Sequence, residues 1–392
     1  MMKNLKKLAI SMLMLAFVTS CDSNENNGSN GNGEGTYSKT QFLAYTEGIA
    51  FELNATAEAL SDSWVKTGYT DEENSKEYSN YAEYLTKGVE PEVALSWIIE
   101  GMETIADEVS GEKIRTPYVD KDVYGVESWY SFNSFTDYRD NVYSIQNVFY
   151  GKLLSDVSAT NRASMALTSA AANSLAATDA KAADLNDAIN SALKAFNTLV
   201  ANEKPFRDYV LEYRDDNKDS QEIRNLIDLV AGIVDAVGEL SSDNDKASEI
   251  VAQVASAVIK PTYAALQSSA SALYTKVATY CSAPTQANLD AAAAQWVVTR
   301  IPWEQSEAFL FGPVDTEGYD PHLDSWPLSQ ALINSILLQN IFPSNDEVGV
   351  IYRDEVLGFH SLEYVLYKAG SVRKVDELFK DETVIIEKTN EM

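Results

Sequence analysis

Apolar residues recur every three or four positions over most of the chain, which is the spacing of amphipathic helices. An alternating pattern long enough for a strand does not occur before the last dozen residues. The pattern predicts helices over the following stretches: about Thr40–Trp64, Glu77–Lys87, a helix opened by Pro91, Phe135–Leu154, Thr160–Leu175, Asp179–Val200, Phe206–Arg214, Gln221–Leu240, Ala247–Cys281 and from Thr285 to Thr299. The chain is therefore predicted to be all-α.

Breaks in the pattern predict the domain organisation. The polar run Ser241–Asp245 separates two helical halves, and 392 residues suffice for two cores. We predict two packed helical bundles, residues 37–243 and 244–392, and an interruption of the long second-half helix at Pro261. The stretch 117–136 has no helical period and is rich in aromatic and hydroxyl side chains. Such loops are often functional, and a packed connector is the alternative.

The first 36 residues predict export and anchoring. Three lysines precede the apolar run Leu8–Val18, which is too short to span a membrane, so residues 1–20 resemble a signal peptide. Cys21 at the cleavage point resembles a bacterial lipobox, and this resemblance implies lipidation of Cys21 and a place in the cell envelope, with the outer membrane favoured. Residues 21–36 are typical of a flexible tether. The alternative is a spare cysteine in a cleaved leader.

The net charge limits which partners the chain can bind, and the cysteine content limits its metal sites and disulfides. The formal net charge of −29 and the lack of basic clusters argue against nucleic acid as a partner, whereas cations are tolerated. Solubility alone is the simpler explanation of most of this charge. Cys281 is the only thiol besides Cys21, which excludes a cysteine-based metal site and an internal disulfide in the mature chain.

The stretch from Arg353 to Gly370 places ionisable groups inside an apolar helix. His360 and Glu363 would lie one turn apart on a helix that is apolar on nearly all sides. Burying these groups without partners would cost several kcal/mol, so we expect partners. A core histidine bonded to Glu363 and a ligand or proton-transfer role remain alternatives at this point.

The segment Gly358–Glu363 resembles the GxHxxE motif of the imelysin-like superfamily. Other segments of the chain strengthen this resemblance: Gln295-Trp296, Arg300-Ile301-Pro302-Trp303, Ser306-Glu307-Ala308-Phe309, Phe311-Gly312-Pro313 and Trp326-Pro327-Leu328 before the histidine, and Glu127-Ser128, Tyr130-Ser131, Asn133-Ser134 and Phe149-Tyr150-Gly151 in the first half. The chain departs from the family at Phe132, where an acid is common, and at Ser134. The histidine half comes last, which looks like a circular permutation.

The resemblance implies a ligand site between two similar helical bundles. Its candidate residues are His360 and Glu363 at the centre, with Arg300, Glu304, Glu307, Glu127, Ser131 and Asn133. Imelysin-like proteins are linked with bacterial iron uptake, and oxygen donors with one imidazole suit a hard or borderline cation such as iron. We therefore predict an envelope protein that binds iron, haem or an iron-bearing ligand and works with iron-uptake partner proteins.

Two alternatives remain open. The family is filed among metallopeptidases, but the sequence lacks the second histidine of a zincin or inverzincin motif, because Tyr364 follows Glu363. In the other alternative, His360, Glu363, Glu307 and Arg300 form a buried network that only fixes how the two halves dock.

Overall fold

The computed structural model describes residues 36–339, 354–380 and 383–385, and these residues are mostly helical, as predicted. Cys21 and the signal and tether segments lie outside the described residues. The helices of the first half are α1 Lys39–Val65, α2 Tyr81–Lys87, α3 Pro91–Glu108, α4 Thr116–Asp120, α5 Ser134–Tyr150, α6 Ala159–Arg162, α7 Leu175–Thr178, α8 Ala182–Ala201, α9 Phe206–Asp216 and α10 Gln221–Gly238.

The second half continues in the same way. Its helices are α11 Ala247–Val254, α12 Lys260–Ser282, α13 Gln286–Glu304, α14 Pro313–Thr316, α15 Tyr319–Asp324, α16 Gln330–Gln339, α17 Gly358–Leu366 and α18 Val375–Leu378. Two π-helical segments, Val109–Arg115 and Ala255–Ile259, join α3 to α4 and α11 to α12. The second lies just before Pro261, where we expected a kink or a split. The helical run is not split there, because the wider turn accommodates the hydrogen bond that proline removes, and the kink stays a prediction.

Short strands pair the ends of the described region. The seven strands are β1 Thr36–Ser38, β2 Tyr69–Asp71, β3 Lys76–Tyr78, β4 Tyr367–Lys368, β5 Ser371–Val372, β6 Phe379–Lys380 and β7 Thr383–Ile385. Strand β7 pairs antiparallel with both β1 and β6, with Tyr37 opposite Val384. The two ends are thus adjacent, as a circular permutation requires, and the permutation itself stays a prediction.

The large helices form two groups. Helix α1 packs along α12, which also packs on α13, and α17 lies against α1 and α13. The second group contains α3, α5, α8 and α10. Helix α13 contacts α5 between the groups, and Gly101 of α3 leaves no room for a side chain beside the Ala308 carbonyl. None of the described helices is long and apolar enough to cross a membrane.

The predicted boundary between residues 243 and 244 stays a prediction. Residues from Thr36 to Ile386 cluster as one compact unit. Within this unit, the N-terminal helix α1 packs with helices of the C-terminal half rather than with its sequence neighbours α3 and α5.

Two local predictions are wrong. The predicted helix over 160–175 is replaced by α6, a 3-10 turn at Leu167–Ser169 and loops. Side chains of α5 and α8 explain this, because Gln146 donates to the Arg162 carbonyl at 2.8 Å and Asn186 to the Met165 carbonyl at 3.1 Å. These carbonyls are therefore bonded outside any local helix. Strands β2 and β3 also form a hairpin that the sequence pattern did not indicate.

Candidate functional site

Helix α17 places His360 and Glu363 in the core. All nine residues from Gly358 to Leu366 are buried. The helix begins at Gly358, whose φ of +72° and close approach to the Leu323 carbonyl leave no space for a side chain. The helix is shorter than the stretch that we predicted to be helical: Val356 lies in a 3-10 turn, and Arg353 lies outside the described residues.

His360 lies between two carboxylates. Its Nδ1 is 3.0 Å from Glu363 Oε2, and its Nε2 is 3.2 Å from Asp324 Oδ1. The ring is fully buried, and its centroid is 4.7 Å from that of Trp326. Nδ1 is hydrogen-bonded to Glu363, whereas Nε2 lies close to Asp324 without making a hydrogen bond to any described residue. The ring is therefore closed to solvent and keeps one nitrogen without a hydrogen-bond partner among these residues.

Glu363 joins the two halves of the chain. Its Oε1 accepts hydrogen bonds from the Tyr130 amide at 3.0 Å, the Ser131 amide at 2.8 Å and the Ser131 hydroxyl at 2.7 Å. The structure therefore brings the first-half loop and the histidine helix together, as we expected. With His360 on the other oxygen, this carboxylate is fully engaged by protein donors.

Arg300 is the centre of the neighbouring charges. Its guanidinium pairs with Asp324 and Glu304, and Nη2 is 3.4 Å from Asp137 Oδ2. Trp303 Nε1 donates to Asp324 at 2.6 Å. We call the following residues the buried ion-pair network: Asp137, Arg300, Glu304, Asp324, His360 and Glu363.

Polar side chains complete this network from the first half. Ser128 donates to Asp137 at 2.5 Å, and Asn133 donates to the same carboxylate at 2.6 Å. Asn141 of α5 donates to Glu304 at 2.5 Å. Asn133, predicted to approach the histidine pair, instead holds Asp137 in place.

Burial sets the protonation of the network. It raises the pKa of Glu304 to about 8 and that of Asp137 to about 7, although Arg300 opposes both shifts. Burial also acts to raise the pKa of Asp324, but Arg300 and then His360 hold it below its ordinary value. Asp324 is thus the ionised partner, Glu304 keeps its proton at neutral pH, and Asp137 releases its proton near neutral pH.

These pKa values predict a stability that falls as pH rises. Unfolded carboxyls release their protons near pH 4, whereas folded Asp137 and Glu304 release them near pH 7 and 8. Between these values the folded state binds more protons, so each group lowers the unfolding free energy by up to about 1.4 kcal/mol per pH unit. We expect a higher melting temperature at about pH 5.5 than at about pH 8.5.

A matched pair of variants tests this dependence. Glu304→Gln should flatten the fall in melting temperature, and Glu239→Gln on the exposed surface should leave it unchanged. An identical pH profile in Glu304→Gln and the wild type would contradict the assignment.

A cavity of about 310 Å³ adjoins the network, and we call it the acidic cavity. Six carboxylates and one ammonium line it, with Gly125, Leu310 and Trp326: the charged residues are Glu108, Glu112, Lys113, Glu127, Glu307, Asp320 and Asp324. Glu112 and Lys113 come from the π-helix that follows α3, a kind of segment often found at functional sites. Asp324 belongs to both the cavity wall and the network.

Four of the cavity carboxylates lack direct partners among the residues that the structure describes, and one of the four, Glu112, is exposed. Within the described ranges, the side chains of Glu108, Glu307 and Asp320 make no hydrogen bond and no ion pair, although Glu307 is only 7% exposed. Burial raises the pKa of Asp320 to about 7 and that of Glu307 well above its ordinary value, and neighbouring carboxylates add to both shifts. Lys113 instead pairs with Glu127 at 3.1 Å.

The structure separates the predicted site residues into two places. Glu127 and Glu307 line the acidic cavity, whereas Arg300, Glu304, His360 and Glu363 form the network, with Ser131 bonded to Glu363. We did not single out Lys113, Glu108, Asp320 or Asp137 from the sequence. The local sequence gives no clear signal for them, since Lys113, for example, follows Glu112 and lies two residues before Arg115.

The residues present do not fit a resident catalytic zinc ion. In the part of the chain that the structure describes, no group of three or more His, Cys, Asp or Glu side chains is arranged to hold a metal ion. The Glu363 carboxylate is already bound to protein donors, and His360 Nδ1 lies 3.0 Å from it, which leaves Nε2 as the only nitrogen of His360 without a hydrogen bond to a described residue.

Comparisons with known proteins agree with this architecture. A solved structure of an imelysin peptidase from Bacteroides ovatus superposes with a TM-score of 0.70 and 29% identity, covering 86% of this chain and 96% of that one. Iron-regulated protein A of Synechococcus elongatus is 37% identical over 112 residues. The chain spans only 29% of the length of that relative.

The family model described as imelysin, peptidase M75, matches residues 24–230 and 259–388. The resemblance seen in GxHxxE and the Arg-Pro-Trp segment thus extends over more than half of the sequence, and the helical fold agrees with it. The chain belongs to the imelysin family.

Proposed function

We propose that the protein binds a cationic iron species, either hydrated iron or a positively charged chelate, in the acidic cavity and serves iron uptake. The observation that carries this proposal is the cavity wall, where six carboxylates face one ammonium. A relative named Iron-regulated protein A supports the link with iron. Iron is the cargo in this proposal, and the site lies beside His360 rather than on it.

The spacing of the cavity carboxylates favours an iron ion that keeps its own water or chelator ligands. Oxygen donors suit hard cations, but the carboxylates are spread around a cavity of about 310 Å³ instead of converging on one point. Water or chelator atoms around iron would fill that distance and donate to Glu108, Glu307 and Asp320. These carboxylates would gain the partners that they lack.

The negative charge of the cavity wall limits which iron species can bind there. Haem carries two propionates, and citrate complexes of iron are anionic, so both would face repulsion from the ionised carboxylates of the cavity wall, such as Asp324. Within our prediction of iron, haem or an iron-bearing ligand, the cavity therefore favours a cationic species.

The buried ion-pair network has a structural role in this proposal. It holds Asp324 toward the cavity and docks the Tyr130-Ser131 loop onto α17. Peptide hydrolysis is not favoured, because a general base needs access to substrate and Glu363 is fully buried and bonded.

We further propose that lipidated Cys21 anchors the protein to the outer membrane, where iron-uptake partners receive the ligand. The sequence of residues 1–36 supports this proposal. Cys21→Ser should move the protein from the membrane fraction to the soluble fraction of fractionated cells, because one acyl-bearing residue would be lost. A variant that remains membrane-bound would contradict the anchor.

The binding experiment uses two probes. Titration calorimetry with ferrous iron and with hexaamminecobalt(III), an inert mimic of a hydrated trivalent cation, should show one site whose affinity falls at high salt. Ferric citrate, as the anionic comparison, should not bind. Absence of binding by both cations at low salt would refute the proposed function.

A further inference from the structure

The ammonium that lies among the cavity carboxylates belongs to a side chain of the protein, Lys113. Lys113 is 9% exposed, and its Nζ lies 3.1 Å from Glu127 Oε2. The fields of Glu127, Glu307, Glu304 and Glu108 raise the pKa of Lys113 against the opposing effect of burial, which is the largest single influence. This lysine stays charged and is the cation that the cavity holds in the absence of a ligand.

We infer that Lys113 is a tethered counter-ion which an incoming cation must displace, so that the cavity selects multivalent cations over monovalent ones. The inference rests on the proposed function and deepens it. A monovalent ion would only replace one positive charge by another, with no electrostatic gain. A divalent or trivalent species brings a surplus of charge to the same carboxylates.

The local structure allows this displacement. Lys113 lies in the π-helix Val109–Arg115, and its ammonium is held by one ion pair rather than by a saturated set of bonds. Glu307 faces the same cavity at 7% exposure without a hydrogen bond or ion pair among the described residues. A cation that enters between Glu127 and Glu307 would gain an unpartnered carboxylate and compete for the partner of Lys113.

The binding test compares a variant that removes the positive charge of Lys113 with a variant that retains it. We expect Lys113→Met to bind hexaamminecobalt(III) about 10-fold more tightly than the wild type, which corresponds to about 1.4 kcal/mol. Lys113→Arg should keep wild-type affinity, and Lys181→Met, on the exposed surface, controls for the loss of a positive charge elsewhere. Unchanged or weaker binding by Lys113→Met, with the wild type binding, would overturn the inference and leave the proposed function standing.

A second measurement uses the wild-type protein and does not depend on the folding of a variant. Acetylation of Lys113 by acetic anhydride, followed by mass spectrometry, should become at least about 3-fold faster when hexaamminecobalt(III) is bound, because the displaced ammonium reaches solvent. Slower or unchanged acetylation in the bound protein would overturn the inference. If neither the wild type nor Lys113→Met binds either cation, both the inference and the proposed function are wrong.

Discussion

Arg300→Met lowers the free energy of unfolding by about 3–5 kcal/mol, the largest loss that we expect from a single substitution. Arg300 is 1% exposed and is the guanidinium to which Asp324, Glu304 and Asp137 all lie close. Its removal leaves ionised Asp324 buried without its guanidinium and takes a donor from Glu304 and Asp137, and methionine fills the volume without supplying donors.

Urea denaturation measures this loss, and pH identifies its cause. The deficit should shrink at about pH 5, because Asp324 loses the guanidinium that lowers its pKa in the wild type and can then take up a proton. Arg214→Met is the matched control: its half-exposed pair with Asp215 should contribute less than about 1 kcal/mol. A deficit in Arg300→Met no larger than that of the control would refute the assigned role of the network.

Glu363→Ala should have the second-largest effect, about 3–4 kcal/mol, because it leaves one buried amide, one part-buried amide and one imidazole nitrogen without their hydrogen-bond partner. The amides belong to Tyr130 and Ser131, whose bonds to Oε1 hold the first-half loop on α17. Glu363→Gln should lose less, since its carbonyl oxygen can still accept from the loop.

Hydrogen exchange locates this effect. The Tyr130 and Ser131 amides should exchange faster in Glu363→Ala. The amides of α8, a helix that packs against α5 and α10, should keep their protection. Glu377→Ala in α18, which removes an exposed carboxylate, should change neither the stability nor the exchange. Protected loop amides in Glu363→Ala would show that the carboxylate does not hold the loop.

Local signals in the sequence predicted much of the helical fold. Helix α3 begins at Pro91, and α13 begins after Thr285, whose side chain accepts from the Asn288 amide at 3.3 Å. Local signals failed to predict the structure of a segment whose hydrogen-bond partners lie elsewhere in the sequence. The stretch 160–175 has good helix formers, yet side chains of α5 and α8 take its carbonyls.

The sequence identified several residues of the candidate site, but it did not predict how they are arranged in space. The GxHxxE motif identified His360 and Glu363, and their one-turn spacing left a direct bond between them, observed at 3.0 Å, as one of two alternatives. The bond from Ser131 to Glu363 joins residues 232 positions apart, and periodicity holds no information on such a pairing. The acidic cavity is assembled in the same way, from α3, its π-helical extension and the segment before α16.

The central claim is that ligand binding belongs to the acidic cavity, whereas His360 and Glu363 stabilise the fold. Parallel calorimetric titrations of Glu307→Gln and Glu363→Gln with hexaamminecobalt(III), each paired with a melting curve, test it most directly. We predict that Glu307→Gln loses at least about 10-fold in affinity and keeps its melting temperature, since Glu307 has no protein partner to lose. Glu363→Gln should melt earlier and bind as the wild type does. Loss of binding in a stable Glu363→Gln, together with unchanged binding in Glu307→Gln, would contradict the account.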